Sequence, residues 1–125
     1  MTKPKILIAE DNKLTQVLYK QGLPAELCET QIVGNGEEAL RVYNDWTPDI
    51  VLLDYSMPIL NGYLALKTIR EKVNDKKTTV IMVTSMNDKD HIIACAKIGI
   101  QGYIVKPFKT TEIAKKIFQL HSAKP

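Results

Sequence analysis

The chain has little of what builds several common kinds of site. It has two cysteines, Cys28 and Cys95, which lack both the number and the spacing of a disulfide framework or a zinc site, so both read as free structural thiols. Its two histidines, His91 and His121, fall on helix-patterned segments without a partner histidine or a carboxylate pattern, and no metal or phosphotransfer role is read for either. No apolar run approaches the roughly 20 residues that span a bilayer, and residues 1 to 4 lead directly into a strand pattern, leaving no room for a signal peptide. Membrane insertion is therefore not expected, and the cytoplasm is the expected location. Repeats and low-complexity stretches are absent.

Charge of one sign is also in short supply. Seventeen basic residues against fourteen acidic leave +3, too little to argue for nucleic acid without a clustered patch. Lys72, Lys76 and Lys77 around one loop, and Lys115 and Lys116 on a late helix, read as solvated faces, so no direct contact with nucleic acid is expected. At 125 residues and 45% hydrophobic content the chain can bury one sizeable core, which gives a single domain over residues 1–125.

What is present is a repeated arrangement. Ile6 to Ala9 runs into Glu10 and Asp11, Ile50 to Leu53 into Asp54, Val80 to Val83 into Thr84 and Ser85, and Tyr103 to Val105 into Lys106 and Pro107. Between these strand-length runs, a 3.6-residue period appears at Leu14, Val17 and Leu18; at Ala39, Tyr43 and Trp46; at Leu66, Ile69 and Val73; at Ile92, Cys95 and Ala96; and at Ile113, Ile117 and Leu120. Helix starts are signalled by Asn35-Gly36 with Glu37 and Glu38, by Asn61-Gly62, by Asn87-Asp88 and by Thr110-Thr111-Glu112, while Gly22 and Pro24 end or kink the first helix. Trp46 and Phe108 read as packing residues.

Continuous apolar strands are what a parallel sheet covered on both faces requires; only Cys28 to Val33 is interrupted by polar residues, which places it at an edge. The expectation is an α/β fold, a (βα)5 doubly wound, flavodoxin-like five-stranded parallel sheet with helices on both faces. Periodicity leaves the strand order open.

In such a sheet the carboxyl ends of the strands share one rim, so Glu10, Asp11, Asp54, Thr84 and Lys106 meet there. Three crowded carboxylates stay ionised together only beside a cation, and hard oxygen donors without His or Cys select Mg²⁺, or Mn²⁺. A carboxylate beside such an ion, with an ammonium and a hydroxyl near, can accept a phosphoryl group: Lys106 neutralises oxygen charge and Thr84 donates a hydrogen bond. Asp54, ending a central-looking buried strand, is the best nucleophile.

The pieces Ile6 to Asn12, Asp49 to Gly62, Val80 to Ser85 and Gly102 to Phe108, in this order and spacing, resemble a two-component response-regulator receiver domain of the stand-alone chemotaxis or phosphorelay type. The resemblance covers residues 5 to about 120. It implies that Asp54 is the phosphoacceptor, that Asp11 holds Mg²⁺ directly and Glu10 mainly through water, and that Ser56 adds its backbone carbonyl. It also implies that Lys106 pairs with a phosphoryl oxygen, with a cis bond to Pro107, and that Thr84 and Tyr103 form a coupled switch pair acting on the surface of the fourth helix, fifth strand and fifth helix. Ser56 and Met86 would flank the path of a hydrolytic water.

The implied function is a phosphorylation-activated switch rather than a conventional enzyme. Its phosphoryl group comes from a histidine kinase or histidine phosphotransfer protein, its output goes to an unidentified protein target, and it acts as a monomer or a phosphorylation-dependent dimer. Three rivals are weaker. A haloacid-dehalogenase-like phosphohydrolase needs a second Asp where Ser56 stands, and a flavodoxin-like cofactor binder needs a small phosphate loop where Glu10, Asp11 and Asn12 would repel phosphate. A pseudo-receiver binding module usually shows a lost acidic pair, acceptor or Lys, and this chain retains all of them, so only measurement excludes that reading. A receiver cut from a longer transcriptional regulator or hybrid kinase would have the same sequence features, with residues 123 to 125 as a native tail or a linker.

Overall fold

The computed structural model describes residues 3–85 and 89–123. Strands and helices alternate as β1 (Lys5–Ala9), α1 (Lys13–Gly22), β2 (Glu29–Val33), α2 (Gly36–Trp46), β3 (Ile50–Asp54), α3 (Gly62–Lys67, continued by a π-helical turn over Thr68–Lys72), β4 (Thr79–Thr84), α4 (Lys89–Ile98), β5 (Gly102–Val105) and α5 (Ile113–Ser122). All strand pairs are parallel, in the order β2-β1-β3-β4-β5. Because successive strand residues point to opposite faces, the central strands β1, β3 and β4 each feed two cores. Ile6, Ile8, Ile50, Leu52, Ile81 and Val83 pack with Tyr19, Ile113 and Ile117 on one side. Leu7, Ala9, Val51, Leu53, Val80 and Met82 pack with Ala39, Tyr43, Leu66, Ile69 and Cys95 on the other. Cys28 and Cys95, both buried and free, belong to opposite cores, so no disulfide can join them.

The doubly wound sheet is as expected, β2 lies at an edge, and β3 is the middle strand. No helix among the described residues is long and apolar enough to cross a membrane. Three helices start on an asparagine whose side-chain oxygen accepts a backbone N–H three residues on: Asn12 from Thr15 at 3.0 Å, Asn35 from Glu38 at 2.9 Å and Asn61 from Leu64 at 2.9 Å. Each such cap is worth about 1 kcal/mol. Thr110 and Thr111 do not cap α5; residues 110–112 form a turn, and Glu112 precedes Ile113 without a capping side-chain bond. Asn87 and Asp88 lie outside the described residues.

Some helical faces differ from the periodic reading. Leu14 is 70% exposed and Val17 also faces water, because Tyr19 and Gly22 form the buried side of α1. At 3.6 residues per turn, Leu14 and Val17 fall about 140° and 160° around the helix from Tyr19. Val73 is exposed as well: the π turn joins its N–H to the Thr68 carbonyl at 2.9 Å and rotates it off the face of Leu66 and Ile69. Ala96 is exposed, leaving Cys95 as the buried residue of α4.

The same π turn buries Arg70 at the amino end of the sheet. Its guanidinium donates to the carbonyls of Gly99 at 2.8 Å and Asp75 at 2.9 Å and to Gln101 Oε1 at 3.1 Å. Gln101 Oε1 also accepts from Val80 N at 2.7 Å, so one arginine ties the ends of α3 and α4 to the start of β4. Burial works against the charge on Asp75, but hydrogen bonds from the Thr78 and Tyr43 hydroxyls and from the Thr78 and Lys77 N–H groups outweigh it and hold the carboxyl well below its ordinary range.

Candidate functional site

At the carboxyl ends of the strands, Glu10 continues β1 by one residue. Its N–H donates to the Val33 carbonyl at 2.9 Å, which directs the fully buried side chain into the rim, where Oε2 accepts the Asn12 N–H at 3.0 Å. Gln16 Nε2 donates to the Glu10 carbonyl at 2.6 Å, locking α1 to the same turn. Asp11, next in sequence, is exposed at the mouth.

Asp54 ends β3 and is buried between β1 and β4. The chain beyond it is held tightly: Tyr55 N–H donates to the Val83 carbonyl at 2.9 Å, and Gly62 N–H returns to the Tyr55 carbonyl at 3.0 Å. Gly62 is required by proximity, since a Cβ there would lie 2.3 Å from the Asp54 carbonyl oxygen. Ser56 is exposed two residues past Asp54.

Thr84 ends β4 and is buried, and its carbonyl accepts the Lys106 N–H at 2.7 Å. Lys106 follows β5 and precedes Pro107 in a cis peptide bond. Its Nζ lies 2.7 Å from Glu10 Oε1 and 3.0 Å from Asp54 Oδ2. Burial alone would lower its pKa; the close contacts with the Glu10 and Asp54 carboxylates win, and it is raised. Asp54 moves the opposite way from a simple ion pair. Burial, with the charge of Glu10 in support, outweighs Lys106 and pushes its carboxyl up to about 6.

One carboxylate oxygen from each of Glu10, Asp11 and Asp54 can be chosen so that all lie within 4.8 Å of one another. A single ammonium cannot neutralise three carboxylates. The buried Glu10 Oε1, although close to Lys106, makes no well-directed hydrogen bond, so the pocket still has acceptor capacity. Clustered hard oxygen donors without nitrogen or sulfur suit Mg²⁺ or Mn²⁺, and the residues present fit such an ion.

The sequence-predicted set thus divides. Glu10, Asp11, Asp54 and Lys106 meet at one rim, with Thr84 at the end of the neighbouring strand. Tyr103 stands apart. It is 43% exposed, outward-facing on β5, and registers with Met82, whereas Thr84 registers with Val105. Met86 lies outside the described residues.

Other residues at or near the site were not legible. Tyr19 is buried beneath the rim with its ring 4.7 Å from that of Phe108; burial, then the charges of Glu10 and Asp54, pushes its phenol strongly up, so it stays protonated. Its place on the buried side of α1 would have been the signal. Both histidines acquire partners that one-dimensional spacing does not show. His91 stacks on Tyr55 with ring centroids 4.0 Å apart, and His121 Nδ1 lies 2.7 Å from Thr79 Oγ1.

Residues 6–118 match the family model described as the response regulator receiver domain. The chain is 30% identical to the chemotaxis protein CheY of Halobacterium salinarum, over 95% of this chain and 98% of that protein. It is 29% identical to the phosphate regulon transcriptional regulatory protein PhoB of Rhizobium meliloti, over 98% of this chain but 54% of that protein. The chain therefore spans about half the length of that relative, and 26% of the regulatory protein AtoC of Escherichia coli. Among solved structures, the receiver domain of the Francisella response regulator 1452 superposes with a TM-score of 0.84 at 30% identity, over 96% of this chain and 98% of that one.

Proposed function

Because the chain belongs to the response regulator receiver domain family of two-component signalling, we propose that Asp54 is the aspartate on which its signal is written. The observation that carries this reading is Lys106 Nζ within 3.0 Å of Asp54 Oδ2 and 2.7 Å of Glu10 Oε1 at the rim where three carboxylates converge. An Asp54 carboxylate oxygen attacks phosphorus, the bond from phosphorus to the donor's histidine nitrogen breaks, and the leaving nitrogen keeps the electron pair. The product is an aspartyl phosphate.

In this reading Asp11, Asp54 and the backbone carbonyl of Ser56 would hold Mg²⁺, with Glu10 contributing mainly through water. When bound, the ion supplies charge neutralisation for the phosphoryl oxygens. Lys106 exchanges its hold on Asp54 for a phosphoryl oxygen, and the Thr84 hydroxyl donates to another. Withdrawal of Thr84 toward the phosphoryl group opens space into which the Tyr103 ring turns from its exposed position, reshaping the face of α4, β5 and α5 for a protein partner. The family is a signalling switch and not a conventional enzyme. For this chain we add a histidine kinase or phosphotransfer protein as donor and the cytoplasm as setting.

Acetyl phosphate with millimolar Mg²⁺ tests the reading by intact mass. The native chain should gain one base-labile phosphoryl group, and Asp54→Ala should gain none. Full phosphorylation of the variant would refute the site, while an inert native chain would favour a pseudo-receiver that only binds.

A further inference from the structure

The switch pair acts through β5, and among the described residues α4 has a separate contact with the residue that follows β3. Of its ten residues it fully buries Cys95 alone. Its carboxyl end is fixed, because Arg70 Nε donates to the Gly99 carbonyl at 2.8 Å while Gly99 N–H closes on Cys95 O at 2.9 Å. Near its amino end, in its first turn, His91 lays its ring on Tyr55, with centroids 4.0 Å apart and planes inclined by 16°.

Tyr55 is an unusual place for such a contact. It directly follows Asp54, and both its backbone groups are engaged, the N–H with Val83 and the carbonyl with Gly62. A backbone held on both sides turns with the end of β3 instead of absorbing motion there. The ring is thus a rigid extension of the residue that we assign as phosphoacceptor.

We propose that the Tyr55–His91 stack is a second mechanical link from the acceptor aspartate to α4, a catch that holds the helix in its resting place while the Arg70–Gly99 bond serves as the pivot. Tyr55 and His91 are positioning residues in this scheme. They touch neither metal nor phosphoryl group, and they act by making the resting arrangement cheaper than the activated one. The inference rests on the receiver reading above.

Two variants of the full chain decide it, His91→Ala, which removes the ring, and His91→Phe, which keeps a stacking partner. An aromatic pair of this kind shifts a two-state equilibrium by roughly twofold to tenfold. In saturating Mg²⁺, His91→Ala should bind beryllofluoride, a phosphoryl mimic, tighter by that factor. Its ligand-free amide shifts over residues 89–99 should also move toward the positions the native chain adopts with the mimic, and His91→Phe should restore native values in both measurements. Unchanged or weakened affinity in His91→Ala overturns the proposal, as do ligand-free shifts confined to the immediate neighbours of residue 91. A native chain that ignores beryllofluoride would instead count against the receiver reading. The link would then be decided by whether the ligand-free shifts of His91→Ala spread along residues 89–99 or stay beside residue 91.

Discussion

Asp54 is built to be uncomfortable as an anion. Burial and Glu10 push its carboxyl up to about 6 despite Lys106, so the folded chain holds a proton there more firmly than the unfolded chain does. The stability this contributes is fully present below the unfolded value of 3.8 and is lost as pH rises through about 6. Metal-free Asp54→Asn should therefore be more stable than the native chain at pH 8, by about 1 to 3 kcal/mol, with the gap closing toward pH 4. Urea unfolding at the two pH values measures it. An Asn variant that is less stable at pH 8 would show that Lys106, not desolvation, governs the site. Saturating Mg²⁺ should reverse the order, because the ion rewards the charge that burial penalises.

At this scale the sequence was informative wherever a residue's chemistry was unusual for its place. Acids and a lysine directly after apolar strands stand out because a buried strand end seldom carries them without use. Tyr19, Gln16 and the Tyr55–His91 stack did not stand out. Their roles depend on which way a helix faces and on pairs far apart in sequence, and neither is encoded in local spacing.

Among the elements, the junction between β3 and α3 determines how well the site is made. Gly62 starts α3 so close to β3 that a methyl group would lie 2.3 Å from the Asp54 carbonyl. Either the helix or the end of β3 must then move, and overpacking of this kind costs about 1 to 3 kcal/mol. Gly62→Ala should lower stability by that amount in denaturant unfolding and slow phosphorylation by acetyl phosphate as well. A loss of stability with phosphorylation at the native rate would mean that the shift is absorbed by α3 and spares Asp54. Element types were readable because β3 and β4 are buried throughout and their apolar runs are short and bounded. Faces were less so. In α1 the close fit around Tyr19 and Gly22 overrides the apolar pattern, and in α3 the π turn breaks the period that the Leu66, Ile69 and Val73 spacing suggests.

For the whole molecule, the sheet places the site at the seam between β1 and β3, where crossovers leave in opposite directions and a crevice opens. That seam and the proposed output face are separate. A groove of about 790 Å³ runs along β5 and α5, lined by Tyr103, Val105, Phe108 and Lys109 among others, on the side away from β3. Strand order was not readable from periodicity, since it depends on which strands pair across long crossovers.

The central claim is that charge chemistry at Asp54 is felt on this distant face. Amide and Tyr ring resonances of the native chain, recorded with Mg²⁺ before and after beryllofluoride, test it most directly. The account predicts strong shifts along residues 102–120 together with loss of solvent exposure at the Tyr103 ring. Shifts confined to residues beside Glu10, Asp54 and Lys106, with the Tyr103 ring still exposed, would contradict it.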